Sequence, residues 1–280
     1  MSRQPPFWVL IWFGVFLVAV VFAFGYAVAY AKAGPGPPLG SALATAILAA
    51  ALYYPVVLLL ALVPPMRQRR RAQRLELVAR RMGYSFDAEG KTLDLQPLEA
   101  IKMFRGSRQP DPDFGTPRAW NVMKGRGHEA DITVFDYRYV YLYVVSESHV
   151  MQDTIVYFAF DSVRLPDFEL EPTLKIVERI ESALGASDIN FPSHPRFSET
   201  YWLSGPDPAA IRTAFAPGVL EFFAGSPGFC LRAHDRYLVF CRHGTKVAVR
   251  GLWYSRAEPE EIPALVERYA RVAELFKARP

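Results

Sequence analysis

The chain has 280 residues, of which 51% are hydrophobic, and a formal net charge of +4. The positive charge is local. Arg67, Arg69, Arg70, Arg71, Arg74, Arg80 and Arg81 face the single acid Glu76 between Arg67 and Met82, whereas 23 basic residues meet 27 acidic ones from Gly83 to Pro280. A protein that grips a phosphate backbone needs a positive face on its folded domain, so nucleic acid is not an expected partner.

The chain carries no charge from Phe7 to Ala31 or from Leu39 to Val63, two runs of 25 residues each. A helix crosses a bilayer with roughly 20 apolar residues, so residues 7–31 and 39–63 are expected to span. Between them, Lys32 to Gly40 is dense in glycine and proline, which turns residues 1–66 into an antiparallel transmembrane hairpin. Trp8, Trp12, Tyr26 and Tyr30 fall where interfacial aromatics belong. A cleaved signal peptide is the alternative for the first run, which is longer than the usual apolar region of about 7–15 residues. Alanines at 19, 23, 27 and 31, and at 42, 46 and 50, allow close helix packing, within the hairpin or in a homo-oligomer or membrane-protein partner.

Residues 67–82 read as a basic juxtamembrane helix. Leu75, Val78, Ala79 and Met82 form an apolar stripe, and Gly83 suits the helix end. Arg67, Arg69, Arg70, Arg71 and Arg74 are the candidate membrane-surface residues. By the positive-inside rule they hold their end, and with it both termini, in the cytoplasm. They serve topology alone, or they also bind anionic lipid headgroups at about 1 kcal/mol each.

From residue 83 to 280 the pattern changes to short elements, and the expected class is α+β with a largely antiparallel sheet and flanking helices. In chain order the signals are helical turns over Pro97–Phe104, a loop over Arg105–Arg118, and strands over Ala119–Lys124, Ala130–Val145 and Thr154–Phe160. A helix over Pro172–Leu184 follows, then a strand over Phe197–Leu203 and a short helix from Asp207 to Phe215. A hairpin of Phe229–Arg232 and Arg236–Arg242 comes next, and an amphipathic helix over Glu258–Ala278 closes the order.

Several blocks carry a resemblance: Asn121–Gly125, Ile132–Tyr139, Gln152–Val156, Leu165–Phe168, Asp188–Phe191 and Pro195–Tyr201. They resemble segments of bacterial membrane proteins that join hydrophobic N-terminal spans to a cytoplasmic α+β domain. The resemblance runs from Asn121 to Phe240 and implies architecture but no activity.

Candidate chemistry is sparse. Cys230, His234, Cys241 and His243 suggest a metal site by composition, but a turn at His234–Asp235 sets Cys230 opposite Val239 and points His234 away, and the spacing does not suit zinc. The two cysteines are expected as buried thiols. Phe135, Tyr137, Tyr139, Tyr141 and Tyr143 alternate along one strand and share a face. Such a row either stacks ligands or packs under the helices of Pro172–Leu184 and Glu258–Ala278, and cover is the expectation. Asp188, Asn190 and His194 cluster in a proline-marked loop and read as turn-capping groups. No hydrolase, phosphate-loop or zinc-protease motif is present in the sequence. Neither a cofactor nor a metal is expected. The leading expectation is a membrane-anchored cytoplasmic module that scaffolds, senses or binds, with a membrane-associated enzyme or an accessory subunit of a transporter or envelope assembly as alternatives.

Overall fold

The computed structural model describes residues 66–104, 117–142, 148–172, 188–241, 246–249 and 252–277, together with Ala19, Ala23 and Ile47. The chain divides into two compact units, Met1–Arg71 and Ala72–Pro280. In the first, Ala19, Ala23 and Ile47 are helical. The expected spans otherwise lie outside the described residues, among which no helix is long and apolar enough to cross a membrane.

Helix α1 covers residues 66–82. Within the second unit its stripe is buried as the spacing predicts, with Leu75, Val78 and Ala79 in the core and Met82 packed against it. Gly83 ends the helix at φ +71, a backbone state that glycine enters without steric cost. Beyond it, ten strands form one sheet among the described residues. They are β1 (Ser85–Asp87), β2 (Arg118–Gly127), β3 (Ala130–Leu142), β4 (Ser148–Phe160) and β5 (Leu165–Pro172), then β6 (Tyr201–Ser204), β7 (Cys230–Asp235), β8 (Tyr237–Cys241), β9 (Lys246–Val249) and β10 (Leu252–Ser255).

The main order is β1-β2-β3-β4-β8-β7-β5-β6. Neighbours along it are antiparallel. The sheet forks at β4, whose residues 155–159 pair with β8 while residues 150–153 pair in parallel with β10. The expectation of an α+β unit with a largely antiparallel sheet is therefore met. His128 and Glu129, both at positive φ, close β2 to β3 with a two-residue turn that matches strand twist.

Among the described residues three short helices follow β5: α2 (Pro195–Thr200), α3 (Pro208–Ala214) and α4 (Pro217–Gly225), each opening on a proline whose missing N–H costs nothing there. Asp207 caps α3 by accepting from the N–H groups of Ala209 and Ala210. Helix α5 (Ile262–Lys277) follows a turn at Pro259–Glu261.

The sheet is buried on both faces. On the first, Ile132, Val134, Val156, Phe158 and Phe240 pack in one core with α1, α5 and the short helices. On the second, Phe135, Tyr137, Tyr139, Ile155 and Val239 pack under Leu98, Ile101, Met103 and Phe104. The latter residues belong to two short 3-10 turns, Gln96–Leu98 and Lys102–Phe104.

Five expectations need correction. Phe135, Tyr137 and Tyr139 of the aromatic row are covered, but by the 96–104 turns, because α5 shares its core with Ile132 and Val134 on the opposite face of β3. Segment Phe197–Leu203 is split between α2 and β6: Pro195 starts a helix that carries Phe197 into the core. The β7–β8 turn is Asp235–Arg236, with Asp235 at φ +49, so Cys230 pairs with Cys241 and not with Val239. Those cysteines are joined as a disulfide, with Cα atoms 5.5 Å apart. Pro172 ends β5 and does not start the helix expected over Pro172–Leu184, whose other residues lie outside the described residues, as do Tyr143 and His243.

Candidate functional site

The second sheet face carries an unusual polar cluster. Alternation along β5 places Glu169 and Glu171 on that face, while Phe168 and Leu170 enter the opposite core. In β7, Cys230 and Arg232 alternate in the same way with Leu231 and Ala233. Register then puts Arg232 directly across from Glu169 on one side and Val239 on the other. Arg232 is 4% exposed, Glu171 3% and Asp153 0%.

The guanidinium is shared between carboxylates and sulfur. Nη2 donates to Glu171 Oε1 at 2.5 Å, and Nε lies 3.7 Å from Glu169 Oε1. Nη1 points at three sulfur atoms: Cys241 Sγ at 3.0 Å, Cys230 Sγ at 3.6 Å and Met103 Sδ at 3.7 Å. Burial works against the charge of Arg232, but Glu171, then Glu169, Tyr139 and Asp153, outweigh it and raise its pKa. Tyr139 donates its hydroxyl to Asp153 Oδ2 at 3.2 Å. Burial, reinforced by the Asp153 charge, holds that phenol well above its usual range.

A second buried carboxylate network lies at the fork on the first face. Asp136 accepts from Asn121 Nδ2 at 2.9 Å and from Thr154 Oγ1 at 3.1 Å. Thr154 Oγ1 in turn accepts from the Ala257 N–H at 2.9 Å. Asn121 adopts φ +54 beside the β2 irregularity, which asparagine tolerates better than bulkier residues. The chain Asn121–Asp136–Thr154–Ala257 thus ties β2, β3 and β4 to the backbone just past β10. Its role is structural: a fork leaves ladder groups unpaired, and buried polar groups need partners.

The residues singled out from sequence fall elsewhere. Arg67, Arg69 and Arg70 are exposed on α1. Arg74 is half exposed and forms an ion pair with Glu260, its Nε 3.0 Å from Oε1, and lies 3.6 Å from Glu258. Asp188 accepts from the Leu203 N–H at 3.1 Å, finishing the outer edge of β6. His194 Nδ1 lies 3.0 Å from Ser193 Oγ, and the Asn190 carbonyl accepts from Arg212. These contacts order the loop and bring no catalytic group together. His234 turns to Asp167 at 2.8 Å, away from the cysteines. No cluster of three or more His, Cys, Asp or Glu side chains suited to a metal occurs among the described residues.

Sequence patterning does not single out Arg232, Glu169, Glu171 and Asp153. Glu169 and Glu171 lie in β5, to which it assigns no strand, Asp153 precedes the strand expected from Thr154, and Arg232 ends the expected Phe229–Arg232 strand as an ordinary charged residue. Cover by residues 96–104, far away in sequence, closes this face.

No protein-family model and no curated protein matches the chain. Among solved structures it is similar to the mycobacterial trehalose monomycolate transport factor A, TtfA. The likeness has 14% identity and a TM-score of 0.46, and covers 76% of this chain and 97% of that one.

Proposed function

We propose that the chain is a membrane-tethered module that presents its α+β unit at the cytoplasmic surface for scaffolding, sensing or partner binding. One observation carries the reading. Helix α1 begins at residue 66, three residues past the apolar run that ends at Val63, and its Leu75, Val78 and Ala79 are core residues of the second unit. From Ala72 onward this helix is an integral element of the second unit, whereas Arg67, Arg69, Arg70 and Arg71 fall in the first. A span ending at Val63 would leave Arg67, Arg69, Arg70 and Arg71 near anionic headgroups.

Topology tests the tether. A fluorescent-protein fusion after Pro280 should be bright and an alkaline-phosphatase fusion there inactive, with the full chain resisting alkaline carbonate extraction. Phosphatase activity, or release by carbonate, overturns the reading. Cross-linking in intact cells followed by detergent solubilisation tests the interaction role: a stoichiometric protein partner or a second copy supports it, and a solitary chain in every membrane preparation counts against it.

A further inference from the structure

We propose that the Cys230–Cys241 bond is a reversible thiol–disulfide site, reduced by a dithiol, in which Arg232 holds the Cys241 thiolate. The inference does not depend on membrane tethering.

The argument starts from the aim of one N–H group. Arg232 Nη1 lies 3.0 Å from Cys241 Sγ and 3.6 Å from Cys230 Sγ, in a site where Arg232 is 4% exposed. A sulfur in a disulfide is a weak, neutral acceptor and returns little of what it costs to bury a guanidinium. A thiolate at the same place accepts a charge-assisted hydrogen bond. The geometry therefore matches the reduced pair better than the oxidised one. Stabilising the reduced form makes a disulfide easier to reduce, and a cation beside a cysteine is what lowers a thiol's proton affinity. Cys241, the nearer sulfur, is the one that carries the charge.

Glu171 sets the limit on this effect. Its Oε1 takes the other arm of Arg232 at 2.5 Å, so carboxylate and thiolate compete for one guanidinium. The redox state thereby decides how Arg232 divides its charge between β7–β8 and Glu171 on β5. In reduction, a dithiol gives two electrons and two protons to the pair and leaves as its own disulfide. The S–S bond breaks, one proton stays on Cys230 as a thiol, and the other leaves from Cys241 to solvent. The 96–104 cover, with Met103 Sδ 3.7 Å from Arg232, must open for the dithiol to enter.

The full-length protein in detergent, equilibrated with dithiothreitol at graded reduced-to-oxidised ratios, tests the site. Samples are acid-quenched, unfolded and tagged with a maleimide to read the fraction reduced. The half-reduction ratio of Arg232→Met should lie about tenfold toward more reducing conditions than that of the parent, and Glu171→Gln about tenfold toward more oxidising ones. In the reduced native protein, Cys241 should alkylate ahead of Cys230, with its half-maximal rate below the free-thiol value of about pH 8.5. Two variants that titrate with the parent overturn the proposal, as does equal tagging at every ratio, which means that no bond forms. If Arg232→Met does not fold, Glu171→Gln decides: it keeps the guanidinium, and an absent or opposite shift refutes the thiolate pairing.

Discussion

Tyr139 hydrogen-bonds Asp153 diagonally across the β3–β4 ladder, while the residue paired with Asp153 in register is Tyr137, whose ring stacks on that of Tyr139 at 5.4 Å. Both rings are covered, at 5% and 0% exposure. Tyr139→Ala should therefore cost about 3–5 kcal/mol, as for other buried aromatic truncations. Tyr139→Phe keeps the packing and loses the hydroxyl donor to Asp153, at about 1–2 kcal/mol. Urea midpoints of the two variants check this, and an unchanged midpoint for the alanine variant would mean that the face is open.

The boundary of the folded unit follows from α1. A fragment that starts at Gly83 loses Leu75, Val78 and Ala79 from the core, whereas one that starts at Ala72 keeps them. Full burial of a large apolar side chain contributes about 1.5–3 kcal/mol, so removing Leu75 and Val78 costs on the order of 3–6 kcal/mol. That is a large part of the roughly 5–15 kcal/mol that holds a domain folded. The shorter fragment should show a lower melting temperature and a broader transition. Equal melting of the two fragments would contradict the assignment of α1 to the core.

Adjacent residues on α1 should behave in opposite ways. Arg74 is half exposed in its ion pair with Glu260, so Arg74→Ala should leave stability nearly unchanged, and any small loss should vanish in high salt. Leu75 is 2% exposed, and Leu75→Ala should cost about 2–5 kcal/mol. Thermal melts at two salt concentrations separate the cases. A large, salt-sensitive loss in the arginine variant would give that pair a structural weight that its exposure does not predict.

What the sequence makes legible is local. The Leu75, Val78, Ala79 stripe, the Gly83 stop, the turns near residues 97–104, the long β3 strand and α5 all follow from periodicity and capping. Register is harder to read. The β7–β8 turn lies one residue beyond His234–Asp235, and that single step moves Cys230 from Val239 to Cys241. Burial of charge is harder still. Glu169 and Glu171 alternate with Phe168 and Leu170 as a solvated strand face would, and only a cover drawn from residues 96–104 makes them interior. The fork at β4 has no local signature, because it depends on β8 and β10 sharing one edge of a single strand.

Alkaline pH should unfold this protein earlier than its other interactions require. Tyr201 donates its hydroxyl to the Ser226 carbonyl at 2.6 Å and accepts from the Phe229 N–H at 3.0 Å. Burial is the main cause that pushes its pKa up to about 12. In the unfolded chain a tyrosine ionises near pH 10. The folded state thus favours the neutral phenol, and the associated stability is complete below pH 10. Above that value the unfolded chain releases protons that the native state retains, so stability falls by about 1.4 kcal/mol per pH unit for each such group. For Tyr201 the loss continues until the native phenol itself ionises near 12. Burial raises Tyr137 and Tyr139 in the same direction, so the three should act together. Tyr201→Phe removes both hydrogen bonds and should lower stability at pH 7 by about 1 kcal/mol, yet flatten the decline between pH 10 and 12. Urea midpoints at pH 8, 10 and 11 for parent and variant give the comparison, with tyrosinate absorbance as an independent measure of ionisation. Parallel declines in the two proteins would show that Tyr201 ionises as freely in the folded chain as in the unfolded one.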